Sequence, residues 1–130
     1  MPPAERRCVA SREEARMSDA TDVVDAQIAA YRDKDVERLL SYYADDVSVV
    51  MFDGTPMIKD KEVMREQVGK LFADSPDLRL TIANRMAAGE FVVDEEHQTG
   101  VHLEGMPAEE TRLCVYRVVE GKIARTMVLL

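Results

Sequence analysis

The sequence lacks several features that would assign the chain to a functional class at once. No apolar run approaches the ~20 residues of a membrane-spanning helix, and the longest candidate, 127–130, is short enough to end a strand. The formal net charge is −8, and no basic patch with interleaved aromatic residues is present. Because binding nucleic-acid phosphates requires a basic surface, we expect neither a nucleic-acid partner nor a membrane partner.

Cysteine and metal-binding patterns are also sparse. The two cysteines, Cys8 and Cys114, are far apart, which indicates no disulfide framework and favours a reducing, cytoplasmic location. His97 and His102 are five residues apart on an extended run and therefore point to opposite faces. The sequence has no Cys-x-x-Cys or His-Glu-x-x-His pattern, no glycine-rich phosphate loop and no Gly-x-Ser-x-Gly elbow. We therefore expect no metal and no other cofactor.

The composition that remains is that of an ordinary globular domain. The chain has 130 residues, of which 46% are hydrophobic and 32% charged, so one domain with a real core is expected. Residues 1–17 lack an apolar stripe and a signal-peptide core, and we interpret them as a flexible N-terminal extension. Whether residues 1–16 belong to the native start stays open, since Met17 precedes a helix-capping sequence. The domain is expected to span residues 20–130.

Hydrophobic periodicity predicts three helices in the first half of the chain. Thr21 or Asp22 is expected to cap a helix that runs to about Lys34. Asp35 is expected to cap a second, shorter helix whose apolar stripe ends at Tyr43. The third helix is predicted over about 60–73, where Ser-Pro follows.

From residue 78 onwards the apolar period changes from that of a helix to that of a strand. Strands are predicted at 47–52, 78–82, 91–101, 111–119 and 122–130, the last two joined by a tight turn at Glu120-Gly121. The order is helix, helix, strand, helix, then four strands in a meander. This order predicts an α+β fold with helices gathered on one face of a mostly antiparallel sheet.

Five short motifs give the chain a resemblance to a known family. They are Tyr31–Val36 (YRDKDV), Tyr42–Val47 (YYADDV), Lys61–Glu66 (KEVMRE), Val93–Gly100 (VDEEHQTG) and Tyr116–Ile123 (YRVVEGKI). Over about residues 20–130 the chain resembles the SnoaL-like branch of the nuclear transport factor two-like superfamily. The resemblance implies a cone-shaped, cystatin-like fold, in which a curved mixed or antiparallel sheet wraps around three N-terminal helices and leaves a pocket open at one end. It also implies a homodimer joined through the outer sheet face.

The resemblance also allows a comparison with ketosteroid isomerases, which use a carboxylate base, a Tyr and a protonated Asp. In this sequence Met51 stands where the base is expected and Gln27 where the Tyr is expected. Arg112 or Leu113 stands where the second acid is expected, depending on a one-residue gap. Because a thioether cannot accept a proton, we expect the isomerase catalytic set to be absent.

Other carboxylates could replace the missing base. Asp94 and Glu96 are two residues apart on a predicted strand and so share one face. If this face lines the pocket, Asp94 is our candidate for proton transfer; the alternative, which we favour, is a solvated outer face or a polar cluster at a dimer interface. Asp53 near the pocket mouth is a second catalytic candidate, and its alternative is a turn at Asp53-Gly54.

The predicted function is binding of a small apolar or amphipathic molecule in the pocket, without the isomerase set. Two alternatives remain: an isomerase, hydratase or cyclase that uses Asp94 or Asp53 as base, and a non-catalytic dimerisation module with a filled core. A cavity smaller than roughly 300 Å³ would favour the module. The expected ligand-binding residues are Gln27, Tyr31, Met51, Met64, Arg112, Cys114, Thr126 and Leu130.

Overall fold

A computed structural model describes residues 19–130. The predicted N-terminal extension, residues 1–17, lies outside the described residues, as does Cys8. Within residues 19–130 three helices precede or interrupt the first strands, and a six-stranded sheet forms the remainder. The predicted α+β class is confirmed.

The second and third helices begin at side-chain caps that the sequence makes visible. Helix α1 is helical over residues 19–32, α2 spans Val36–Leu40 and α3 spans Lys61–Asp74. The Asp35 side chain accepts the backbone N–H of Arg38 at 3.1 Å, and the Asp60 side chain accepts that of Val63 at 2.9 Å. The predicted cap at Thr21 or Asp22 is wrong, because residues 19 and 20 are already helical.

The sheet has one parallel contact among antiparallel ones. The strands are β1 (Tyr43–Met51), β2 (Pro56–Ile58), β3 (Arg79–Ala88), β4 (Phe91–Thr99), β5 (Glu110–Val119) and β6 (Lys122–Leu129). Their order in the sheet is β2-β1-β6-β5-β4-β3, and only β1 and β6 run parallel. The last strand is therefore inserted next to the first long one, and the sheet is curved and open.

The structure differs from the prediction in two ways near the contact between β1 and β6. Helix α2 ends at Leu40, and Tyr43 begins β1 because its backbone pairs with Ile123 of β6. The helical spacing that placed Tyr43 on α2 is thus overridden by sheet pairing. Strand β2 was missed, since it is short, begins at a proline and pairs only with the edge of β1.

The core lies between the concave face of the sheet and the helices. Helix α1 buries Val24, Ile28 and Tyr31 against the sheet, and α3 buries Leu71 and Phe72. The rings of Tyr31 and Phe72 meet edge to face with centroids 5.1 Å apart. Within residues 19–130 no helix has the length and apolar character needed to cross a bilayer.

Candidate functional site

A cavity of about 220 Å³ lies inside the cone, between α1, α3 and the concave face of the sheet. Its walls are mostly aliphatic, with Val49, Leu71 and Leu80 among the contributing residues. Met57 and Met106 mark the mouth, because their side chains line the cavity and are also 44% and 36% exposed to solvent. The cavity therefore has an apolar body that opens on one side.

The structure places six of the predicted site residues on the cavity wall. They come from four elements: Gln27 and Tyr31 from α1, Met64 from α3, Arg112 and Cys114 from β5, and Thr126 from β6. Their positions follow from the alternation of strand side chains and from the face that each helix turns to the sheet. Four predicted residues, Met51, Asp53, Asp94 and Leu130, do not line it.

Three of these four lie at or beyond the strand ends. On β1 the cavity is lined by Val49, and Met51 is the last residue of that strand. Leu130 follows the end of β6 and is 70% exposed. Asp53 is exposed, and its carboxylate accepts the backbone N–H of Thr55 at 3.0 Å. Hydrogen bonding to the side chain of Thr55, together with this backbone bond, lowers the pKa of Asp53. Asp53 therefore has the surroundings of a turn residue, which was the alternative to its catalytic role.

Asp94 and Glu96 share one face of β4, and this face is the buried one, so the outer-face interpretation that we favoured is wrong. Asp94 is 0% exposed and Glu96 is 1% exposed. Asp94 nevertheless misses the cavity, because Arg85, its neighbour across β3, holds both carboxylate oxygens at 2.6 and 2.9 Å. Arg85 also bonds to Asp25 of α1, and its hydrogen bonds with Asp94 raise the pKa of Arg85. The Arg85–Asp25 ion pair connects α1 to the sheet.

Glu96 is the carboxylate that faces the cavity. Its Oε1 accepts hydrogen bonds from Nη2 and Nε of Arg112 at 3.3 and 3.4 Å, and its Oε2 accepts one from the Tyr116 hydroxyl. Arg112 Nη2 also reaches Gln98 Oε1 at 3.4 Å, and the Tyr31 hydroxyl donates to the same oxygen. The polar end of the cavity is therefore a connected network built on β4 and β5.

The other ionisable groups at this end keep their protons at neutral pH. Burial, opposed by Arg112, raises the pKa of Tyr31 to about 12. Burial and the neighbouring Glu96 raise the pKa of Cys114 to about 12, and the same two causes raise those of Tyr43 and Tyr116. The ion pair at this end joins Arg112 Nη2 and Glu96 Oε1, which are 3.3 Å apart.

Burial alone would lower the pKa of Arg112. Coulombic attraction to Cys114, Glu96 and the tyrosines outweighs burial and raises the pKa of Arg112. The thiol and phenol contributions require the ionised groups and therefore act only at high pH, where Arg112 would otherwise titrate, so at neutral pH the guanidinium is charged.

Two buried polar atoms on the cavity wall lack a hydrogen-bond partner within the described chain. They are Oε1 of Gln27 on α1 and Oγ1 of Thr126 on β6. Nearly all buried polar atoms in proteins have a partner, so these two oxygens retain hydrogen-bonding capacity that residues 19–130 do not satisfy. Over the same residues, no group of three or more His, Cys, Asp or Glu is arranged to hold a metal ion.

Sequence reasoning missed Glu96 as the residue of this pair that faces the cavity, and it missed Tyr43 and Tyr116 altogether. A signal was present on β5, where Arg112, Cys114 and Tyr116 alternate with exposed or half-buried residues. In the antiparallel pairing of β4 with β5, the residue opposite Arg112 is Glu96. The register of these two strands therefore predicts Glu96 as the counterion of Arg112. The choice between Asp94 and Glu96 depended on this register.

Comparison with known proteins agrees with this architecture. A family model described as a SnoaL-like domain matches residues 24–126. The chain therefore belongs to the family of SnoaL-like domains, and the resemblance stated from the sequence is confirmed. A search of curated proteins finds no significant match.

Solved structures give the same fold. An uncharacterised cystatin-fold protein from Novosphingobium aromaticivorans is 26% identical, with a TM-score of 0.76 over 85% of this chain and 97% of that one. A LEH-like epoxide hydrolase from Mycobacterium tuberculosis is 16% identical, with a TM-score of 0.72 over 87% and 83% of the two chains. A putative polyketide cyclase from Xanthomonas campestris is 20% identical, with a TM-score of 0.66 over 88% and 92%. The predicted cone fold is thereby confirmed.

Proposed function

We propose that this protein binds a small, largely apolar or amphipathic molecule in the cone cavity. The observation that carries the proposal is the combination of aliphatic walls with unpartnered Gln27 and Thr126 oxygens at the buried polar end. Ligand pockets are typically apolar with a few polar groups that orient the ligand. The bound molecule would place its apolar body along the walls and its polar group at Gln27 and Thr126.

The size of the cavity limits this ligand. About 220 Å³ is below the roughly 300 Å³ of pockets for drug-sized molecules, so volume alone favours the dimerisation module. A dry cavity of about 150 Å³, however, already binds benzene. A filled core would also gain nothing from burying the Glu96–Arg112 pair, since desolvating two charges is costly. The buried polar groups therefore favour a protein that binds mono- or bicyclic molecules over a non-catalytic dimerisation module with a filled core.

A thermal-shift screen of neutral mono- and bicyclic compounds tests the proposal. A ligand at one hundred times its dissociation constant adds about 2.7 kcal/mol to the free energy of unfolding. Val128→Phe places a ring in the cavity and should abolish the shift, whereas Val63→Phe on α3, away from the cavity, should retain it. A shift that survives Val128→Phe would place binding elsewhere.

A second candidate is an acid–base enzyme that uses Glu96. Its support is a buried carboxylate on the cavity wall with Arg112 and Tyr116 as hydrogen-bond donors. Two proteins of similar fold, the epoxide hydrolase and the putative polyketide cyclase, carry enzymatic names. Of the two bases first considered, neither Asp94 nor Asp53 lines the cavity, so this role passes to Glu96, which does.

Deuterium exchange at the α-carbon of indan-2-one tests this candidate. Glu96 would remove the α-proton, and D2O would return a deuteron, so NMR would show exchange above the rate in buffer. Glu96→Gln should abolish the excess exchange, while Glu95→Gln, which alters the neighbouring residue paired with Asn84, should leave it unchanged. Equal exchange in both variants would remove Glu96 from the mechanism.

We also propose a homodimer joined through the outer sheet face, in the cytoplasm. Met86, Val93, Val115 and Met127 are paired in register across β3, β4, β5 and β6, which forms an apolar row on the convex face. In sedimentation equilibrium Val115→Asp should give monomers, and Ala73→Asp on α3 should not.

The buried, free thiol of Cys114 supports the proposed reducing location in the cytoplasm.

A further inference from the structure

The polar end of the cavity carries two opposite charges. Glu96 and Arg112 face each other across β4 and β5 and are joined by hydrogen bonds of 3.3 and 3.4 Å. A charged ligand group placed beside this pair would be attracted by one member and repelled by the other. Because burying a charge without net compensation costs several kcal/mol, the pair favours a ligand group without charge.

Gln27 and Thr126 add a second, independent requirement. Each residue is only 5% exposed, yet Gln27 Oε1 and Thr126 Oγ1 have no hydrogen-bond partner within residues 19–130. Gln27 Oε1 is an acceptor and needs a donor, whereas the Thr126 hydroxyl can donate or accept. A ligand hydroxyl can hydrogen-bond to either atom, because it both donates and accepts. An ether oxygen can only accept, so it can bond to the Thr126 hydroxyl and not to Gln27 Oε1, and a hydrocarbon can bond to neither atom.

We infer that the ligand is a small neutral alcohol whose hydroxyl donates to Gln27 Oε1. The inference rests on the proposed binding function and narrows its ligand class. Benzene, with six heavy atoms, occupies a cavity of about 150 Å³, so 220 Å³ suits roughly nine or ten heavy atoms. A cyclic or bicyclic alcohol has this size, and its rings match the aliphatic walls.

A matched set of indane derivatives tests the ligand class by calorimetry. The set consists of indan-2-ol, 2-methoxyindane, indane-2-carboxylate and 2-aminoindane, which present a hydroxyl, an ether, an anion and a cation on one framework. Indan-2-ol is expected to bind about ten-fold more tightly than each of the others, because only the hydroxyl supplies an uncharged donor. Equal binding of alcohol and ether would overturn the inference but leave the binding function standing. If no member binds, both fail.

Two near-isosteric variants locate the effect. Gln27→Met removes the acceptor that an alcohol can satisfy and an ether cannot, so it should reduce the preference for alcohol over ether to roughly three-fold or less. Thr126→Val removes a hydroxyl that can donate to either ligand, so it should weaken both and leave the preference in place. The melting temperature of the unliganded protein should stay equal or rise, since a buried polar atom without a partner is lost. Thr111→Val, an exposed change on β5, is the control and should retain the full preference.

A purely structural role predicts the opposite pattern. Gln27→Met would then lower the melting temperature and leave the preference for alcohol unchanged, and this result would overturn the inference. A lost preference in Gln27→Met at an equal or higher melting temperature supports it, because folding and ligand recognition then respond separately to the same oxygen.

Discussion

Asp94 and Glu96 point from the same face of β4, but their arginine partners lie on opposite sides of that strand. Asp94 pairs with Arg85 of β3, and Glu96 pairs with Arg112 of β5. The first pair holds Arg85, which also binds Asp25 of helix α1, and the second lines the cavity. Two carboxylates that look equivalent in the sequence therefore belong to different parts of the protein.

Asp94→Asn should destabilise the fold without altering the cavity. The change leaves Arg85 without its buried counterion, and breaking a buried pair costs several kcal/mol; because the Arg85 side chain is still 22% exposed, we expect about 2–3 kcal/mol in urea unfolding. Asp25→Asn removes the exposed partner of the same arginine and should cost less than about 1 kcal/mol. Similar losses in both variants would contradict the assigned role of Asp94.

Stability should fall in alkaline solution. Burial raises the pKa values of Tyr31 and Cys114 to about 12 from unfolded values of 10.0 and 9.0. The folded chain thus keeps protons that the unfolded chain releases, so this contribution is complete below about pH 9 and is lost as the pH rises towards 12. Urea unfolding from pH 7 to 11 measures it. Tyr43→Phe removes one buried phenol and should flatten the decline, whereas Tyr42→Phe, a half-buried neighbour, should change it less.

The thiol of Cys114 should react slowly in the native protein. Its pKa is raised to about 12 by burial and by Glu96, so few molecules carry a thiolate at pH 8. In a Cys8→Ser background, where Cys114 is the remaining cysteine, alkylation should be about a hundred-fold slower than in urea. Comparable rates in both conditions would show that the cavity admits the reagent to an ionised thiol.

Gly100→Ala should be far more disruptive than Gly105→Ala. Both glycines have positive φ angles, of 74° and 82°, so each alanine pays a backbone penalty of about 1–2 kcal/mol. At Gly100 the added Cβ would also overlap the carbonyl oxygen of Asp77, whereas at Gly105 it meets open space. We expect a loss of about 3 kcal/mol or more for Gly100→Ala in urea unfolding. Equal losses would show that φ alone decides the cost.

The sequence predicted those features of the fold that local chemistry determines. Asp35 starts α2, the tight turn at Glu120-Gly121 joins β5 to β6, and the change of apolar period marks the start of the strand meander. The end of α2 was misplaced because Tyr43 fits a helical stripe as well as a strand. Only its pairing with Ile123, at the far end of the sequence, decides between the two.

The candidate site was predictable to a similar extent. Gln27 and Arg112 were placed in the pocket by the resemblance to ketosteroid isomerases, and the structure puts both of them, together with Thr126, on its wall. The choice of Glu96 over Asp94 was not predictable, since it depends on which neighbouring strand supplies an arginine. That information lies in the register between strands, which no local pattern contains.

The position of β6 has a consequence for how the chain folds. This strand lies between β1 and β5, and its parallel contact with β1 joins the first long strand to the last. Pairing two strands so far apart in the sequence is slow, because loop-closure entropy is lost before the contacts form. Without β6 the sheet would be two separate halves, β2-β1 and β5-β4-β3. Val49 of β1 and Val128 of β6 would then share no wall. We therefore expect the cavity to be completed only when β6 docks.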